Sequence, residues 1–179
     1  MAHLPSLPDE SKLVDVFRLY PDTARPLLDY HEALMRGPSP LTVAQRELIA
    51  AYVSGLNACG YCHGVHRVAA EAFGIQEETL SALLEDVSTD AIDESMSVLL
   101  RYVEKLTREP SSVAPGDAAA VLQAGWDERA LHDAVAVCAL FNFMNRYVDG
   151  LGITAGADYF DLSGHRVADI GYAGLKDLL

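Results

Sequence analysis

Residues 42–72 read TVAQRELIAAYVSGLNACGYCHGVHRVAAEA, and their punctuation predicts two helices joined by a short break. Thr42 followed three residues later by Gln45 has the form of a capping box, so a helix should start there and run to about Leu56. Asn57-Ala58 interrupts it, and a second helix should begin near Cys59, carry Val65, Val68, Ala69 and Ala72, and stop at Gly74. Outside this stretch, Ala, Leu and Glu recur at helical spacing, and no segment sustains the period-two alternation of a strand. The expected fold is all-α.

Proline and glycine divide the rest of the chain. Further helices are expected at about Glu10–Leu19, Ala24–Met35, Glu77–Leu84, Asp93–Thr107, Pro115–Ala124 and Glu128–Gly150. The last is apolar nearly all round from Ala134 to Met144, which marks a central helix or a subunit interface. At 179 residues a single domain over 1–179 is expected, with a short N-terminal extension of about nine residues and an uninformative tail over about 156–179.

Thirteen Lys and Arg stand against 26 Asp and Glu, a formal net charge of −13, with no basic stripe to follow a phosphate backbone. Nucleic acid is therefore not an expected partner. No apolar run is long enough to cross a bilayer, and the first ten residues lack the charged start and apolar core of an export signal. A soluble, cytoplasmic chain is expected. In such a reducing compartment three cysteines are not a disulfide framework, and a C-x-x-C pair reads as redox-active or metal-binding.

That pair is Cys59 and Cys62, followed by His66. Two thiols at this spacing can close a small disulfide, and a histidine four residues past the second lies on the same helical face. A helix N-terminus favours thiolate over thiol. Thiol chemistry on a peroxide or disulfide needs an attacking thiolate, a base and a second thiol, and Cys62, His66 and Cys59 supply them. Glu47, on the preceding antiparallel helix, is placed to fix the imidazole tautomer and stabilise its cation.

Tyr61 and His63 are auxiliary candidates, Tyr61 to contact substrate or cover a disulfide, His63 as a relay group or, by preference, a solvated residue. The competing readings are a zinc site, which lacks a second ligand pair, and two packed cysteines, for which a helix start beside Gly60 and Tyr61 is a poor core position. Asn142, Asn145 and Arg146 need partners if buried, at the site or, by preference, at an interface. His3, His31, His132 and His165 are expected at the surface or at helix caps, and Cys138 in the core.

The series Glu47, eleven residues, Cys59-x-x-Cys62, three residues, His66 resembles the signature of the alkyl hydroperoxide reductase D-like (AhpD-like) proteins of the carboxymuconolactone decarboxylase superfamily. RPLLDYHEALMRGPSPLT upstream and ALFNFMNRYVDGLGI downstream are similar to its peroxidase-related, alkylhydroperoxidase-domain branch, over roughly residues 10–155. The resemblance implies an all-helical homo-oligomer, trimeric or hexameric, with thiol-dependent peroxidase activity and neither cofactor nor metal. It makes Cys62 peroxidatic, Cys59 resolving, and His66 with Glu47 the proton relay, a hydroperoxide the substrate and a dithiol the reductant. Tyr61 departs from the pattern, since well-studied members carry a histidine there. The alternatives are a carboxymuconolactone decarboxylase-like acid–base enzyme, with Arg46, Arg67 or Arg146 as anion anchors, and a non-catalytic oligomer that holds metal or senses redox state.

Overall fold

The computed structural model describes residues 2–179. Among them there are nine α-helices and no strand: α1 (Leu13–Leu19), α2 (Pro21–Met35), α3 (Val43–Leu56), α4 (Gly60–Ala72), α5 (Glu77–Glu85), α6 (Glu94–Arg108), α7 (Pro115–Gln123), α8 (Glu128–Gly150) and α9 (Ala157–Gly174).

Local chemistry sets several boundaries. The Thr42 hydroxyl accepts the Gln45 N–H at 3.1 Å and the Gln45 side chain accepts the Thr42 N–H at 2.9 Å, the reciprocal cap expected for α3. Asp93 and Asp127 cap α6 and α8 by accepting from the N–H groups of Met96 and Ala130. Gly74 takes a left-handed φ of 98° just past α4, a conformation in which a Cβ is strained.

The two central helices, α3 and α8, pack on each other and on α6, and nine consecutive residues of α3, Arg46 to Ser54, are buried. A helix buried all round reads as apolar on most faces, which is why Leu48, Ile49, Ala50, Ala51 and Val53 follow one another here. Helix α8 is the central helix the sequence suggested, with Val137, Cys138, Phe141 and Met144 buried, while Phe143 stays half exposed.

Helices α3 and α4 form an antiparallel pair. Glu47 meets His66 and the Ala51 carbonyl meets His63, so partners recede in opposite directions along the two chains. The turn between them is tight, with Ala58 at φ 55°, a left-handed conformation that costs a residue with a Cβ about 1 kcal/mol. A polar network fastens this turn to α8. The Asn57 side-chain amide donates to the carbonyls of Asn142 (3.1 Å) and Asn145 (2.9 Å), and the Asn145 amide donates to the Ser54 hydroxyl (2.9 Å). The asparagines of α8 thus brace the turn that leads into the thiol pair, because the side chains of Asn57 and Ser54 are what they satisfy.

The expectation of an uninformative tail over 156–179 is overturned. Residues 157–174 are α9, which lies along α4. Added β-carbons show how closely: at Gly64 one would sit 2.5 Å from the Phe160 ring, and at Gly164 one would sit 2.5 Å from the Val68 Cβ. The two glycines let the helices touch, and the pairing of 64 with 160 and 68 with 164 means that α4 and α9 run parallel. Near its end α9 kinks at Gly171 (φ 64°), where the Glu32 carboxylate accepts the N–H groups of Tyr172 and Ala173 at 2.8 and 2.9 Å. That kink turns Tyr172 inward.

Candidate active site

Helices α3 and α4 bring three of the four principal residues together. Glu47 is wholly buried and uses both carboxylate oxygens: Oε2 faces His66 Nδ1 at 2.7 Å, while Oε1 faces an Arg36 guanidinium nitrogen at 2.7 Å and the Tyr172 hydroxyl at 3.0 Å. Burial alone would raise its pKa, but His66 and Arg36 outweigh that cost and hold the carboxyl below its ordinary range. An ionised carboxylate only accepts, so His66 carries its proton on Nδ1 and donates it to Glu47. Its Nε2 makes no hydrogen bond among the described residues.

Arg36 and Tyr172 escaped the sequence reading. Arg36 also donates to the Val167 carbonyl (3.1 Å) and lies over the rings of Tyr172 and Phe73, 5.0 and 5.1 Å from their centroids. Its Nε is buried without a partner. Neither residue sits within ten positions of Glu47 in the chain, and no spacing rule links a residue after α2, or one in the last helix, to an acid on α3.

Both thiols are free and buried, with Cys59 fully enclosed and Cys62 3 % exposed. The expectation that a helix start beside Gly60 and Tyr61 is poorly placed for the core is therefore corrected: α9 and α1 cover it, and Tyr61 is itself buried, taking the Leu13 N–H at 3.3 Å and donating to the Tyr159 hydroxyl at 3.0 Å. Cys59 is the N-cap residue of α4. The Cys62 thiol beside it, opposed by burial and helped by the Cys62 N–H, draws the Cys59 pKa down; Cys62 is pushed well up by Cys59 first and then by burial. The two thiols therefore titrate as a coupled pair, with Cys59 the more acidic partner and Cys62 the less acidic one.

Access is divided the other way. A mostly apolar cavity, about 720 Å³ of empty space with its mouth included, is lined by Cys62, Tyr61, His66, His31, Phe141 and Tyr172, and beyond them by α1, α9 and the C-terminal leucines. Cys59 does not reach it. Cys62 and His66 share this wall without a direct hydrogen bond, a gap that a water or a peroxide oxygen can span.

The remaining candidates separate. His63 is half-buried, bonds the Ala51 carbonyl at 2.9 Å and stays out of the cavity, so it belongs to the α3–α4 packing rather than to solvent. His31 is not at the surface: it is 4 % exposed, donates from Nδ1 to the Leu27 carbonyl at 2.8 Å, and burial pushes its pKa down to about 4. Its ring packs against those of Phe141 and Tyr172. His132 and His165 are exposed, as expected. Cys138 is buried beside Thr107. Arg46, Arg67 and Arg146 are all engaged elsewhere, by backbone carbonyls, by Glu71 and by Asn142, and none lines the cavity. Among the described residues no cluster of His, Cys, Asp and Glu is arranged to hold a metal, and no helix is long and apolar enough to cross a membrane.

An all-helical domain with a buried thiol pair and a carboxylate-held histidine opening on an apolar cavity defines an enzyme-like thiol site. The sequence model of the carboxymuconolactone decarboxylase family matches residues 21–105, which include Glu47, Cys59, Cys62 and His66. In structure the chain is similar to a peroxidase-related protein with an alkylhydroperoxidase AhpD core from Ralstonia eutropha JMP134, with a TM-score of 0.75 and 25% identity over 83% of this chain and 78% of that one. It is similar also to a peroxidase-related protein from Silicibacter sp. TM1040 (TM-score 0.70, 23% identity, 89% of this chain and 94% of that one). A third likeness is to a variant of the debrominase Bmp8 in complex with 2,3,4-tribromopyrrole (TM-score 0.68, 15% identity, 87% and 81%). No curated protein matches the sequence. Over residues 21–105 the chain thus matches the carboxymuconolactone decarboxylase family, and its fold is AhpD-like.

Proposed function

We propose that this protein is a thiol-dependent peroxidase that reduces hydroperoxides through a Cys59–Cys62 dithiol–disulfide cycle. The observation that carries the reading is that Cys62 and His66 share one enclosed apolar wall, with Glu47 fixing the imidazole from behind and a second thiol one helical turn away. Cys62 is the attacking thiol because it alone of the pair meets the cavity.

The cycle balances as follows. His66 Nε2 takes the Cys62 proton, directly or through one water, and the imidazolium is stabilised by Glu47. The Cys62 thiolate attacks the terminal peroxide oxygen; the O–O bond breaks, Cys62 becomes a sulfenic acid, and the departing alkoxide leaves as an alcohol with the proton from His66. Cys59, the N-cap residue of α4, attacks the sulfenic sulfur, and the disulfide forms as the hydroxyl leaves with the Cys59 proton as water. An external dithiol then reduces the disulfide by exchange and is itself oxidised. The proposed setting is a reducing cytoplasm, which supplies such a donor, and the proposed working form is a homo-oligomer.

The test is to mix reduced protein with one equivalent of hydroperoxide, count the free thiols and map any new disulfide by mass spectrometry. A Cys59–Cys62 bond formed with peroxide consumption and reversed by dithiol is expected. Thiols that survive peroxide unchanged would sink the reading and leave acid–base chemistry by Glu47 and His66 in its place.

A further inference from the structure

The cavity holds one permanently charged residue, and nothing in the described protein pairs with it. Arg166 of α9 lines the wall, is partly buried, and makes neither a hydrogen bond nor an ion pair among the described residues. In a chain with twice as many acids as bases, a half-buried guanidinium that lines an apolar pocket and has claimed none of them is free to take an anion from solution. Ser163 lies one turn before it on the same face of α9, lines the same wall, and its hydroxyl likewise has no partner among the described residues. A guanidinium fork with a hydroxyl beside it fits a carboxylate.

The register of α9 on α4 sets the distance from this pair to the thiol. Position 160 faces position 64, and 164 faces 68, so Cys62 stands level with position 158. Arg166 is eight residues further on, roughly 12 Å along the helix axis. Hydrocarbon makes up much of the remaining lining, Val65, Phe141, Leu28 and Val167 among it. We infer that the cavity takes an amphipathic carboxylate, an aliphatic acid of medium chain length whose anionic head is held by Arg166 and Ser163 and whose far end carries the reactive group to Cys62. With the peroxidase reading, on which the identity of that reactive group rests, the substrate is a hydroperoxide of such an acid.

Binding and turnover test the two statements separately. Decanoate and decanol are titrated into the reduced protein by calorimetry, for wild type, Arg166→Leu and Arg166→Gln, with circular dichroism to establish that each variant is folded. Loss of a charge-assisted hydrogen-bond pair predicts that decanoate weakens about ten- to a hundredfold in both variants while decanol moves far less. Equal decanoate affinity in wild type and a folded variant, or no decanoate binding to wild type, overturns the anchor. Turnover is then measured with ω-hydroperoxydecanoate and its methyl ester; the acid should show the lower KM in wild type, and the difference should shrink in Arg166→Gln. If no hydroperoxide is turned over but decanoate binding still depends on Arg166, the peroxidase reading falls and the carboxylate site stands.

Discussion

Replacing Glu47 by Gln tests the relay most directly, because every neighbour of the carboxylate is a donor. His66 Nδ1 meets one oxygen at 2.7 Å, and Arg36 and the Tyr172 hydroxyl meet the other at 2.7 and 3.0 Å. Glutamine exchanges one oxygen for an NH2 group. Facing Arg36, that group would meet a permanent cation, so it turns to His66 and forces Nδ1 to accept. The imidazole proton then moves to Nε2, the nitrogen on the cavity side, and the base is lost. The imidazolium also loses a charge-assisted hydrogen bond worth about 1.5–3 kcal/mol, which corresponds to a fall of about ten- to a hundredfold in turnover with dithiothreitol as donor. Arg36 is left beside a neutral amide with its side chain 13% exposed, and stability should fall by up to about 3–5 kcal/mol in urea titrations. The tautomer is read by nitrogen NMR of the imidazole. Wild-type turnover in a variant whose His66 proton has moved would falsify the relay.

Three further expectations follow from particular residues. Burial lowers the His31 pKa from 6.5 to about 4, so its contribution to stability is fully present above pH 6.5 and drains away as the pH falls towards 4. The loss should be about 2 kcal/mol between pH 7 and pH 5 and should disappear in His31→Gln; an unchanged pH slope in that variant would refute the assignment. Gly164→Ala places a methyl 2.5 Å from the Val68 Cβ and 2.7 Å from the Val65 carbonyl, neither of which is a flexible end, and should cost about 1–3 kcal/mol by chemical denaturation; a neutral effect would mean that α9 slides on α4 at no cost. Cys59→Ser should consume one equivalent of peroxide and stall as a Cys62 sulfenic or over-oxidised acid by mass spectrometry, whereas Cys62→Ser should consume none; sustained turnover by Cys59→Ser would remove Cys59 from the resolving role.

The sequence by itself determined eight of the nine helices and the chemical kernel. The Thr42–Gln45 box, the Asn57 break and the Gly74 stop place α3 and α4 within a residue or two, and the antiparallel pair they imply brings Glu47 onto His66. These are local signals, in which residues three or four apart share a face and caps act on their own helix ends. Tertiary structure decided what surrounds that kernel. Arg36, Tyr172, His31 and Arg166 come from α2, α9 and the turn after α2, more than ten residues from the motif, and no periodicity encodes which of them meets it. The tail read as uninformative became α9 because glycines at 64 and 164 let it lie against α4, a fit visible only when both helices are placed. The same packing buries the thiols and decides that Cys62, not Cys59, meets the cavity, since burial and access are properties of the assembled fold.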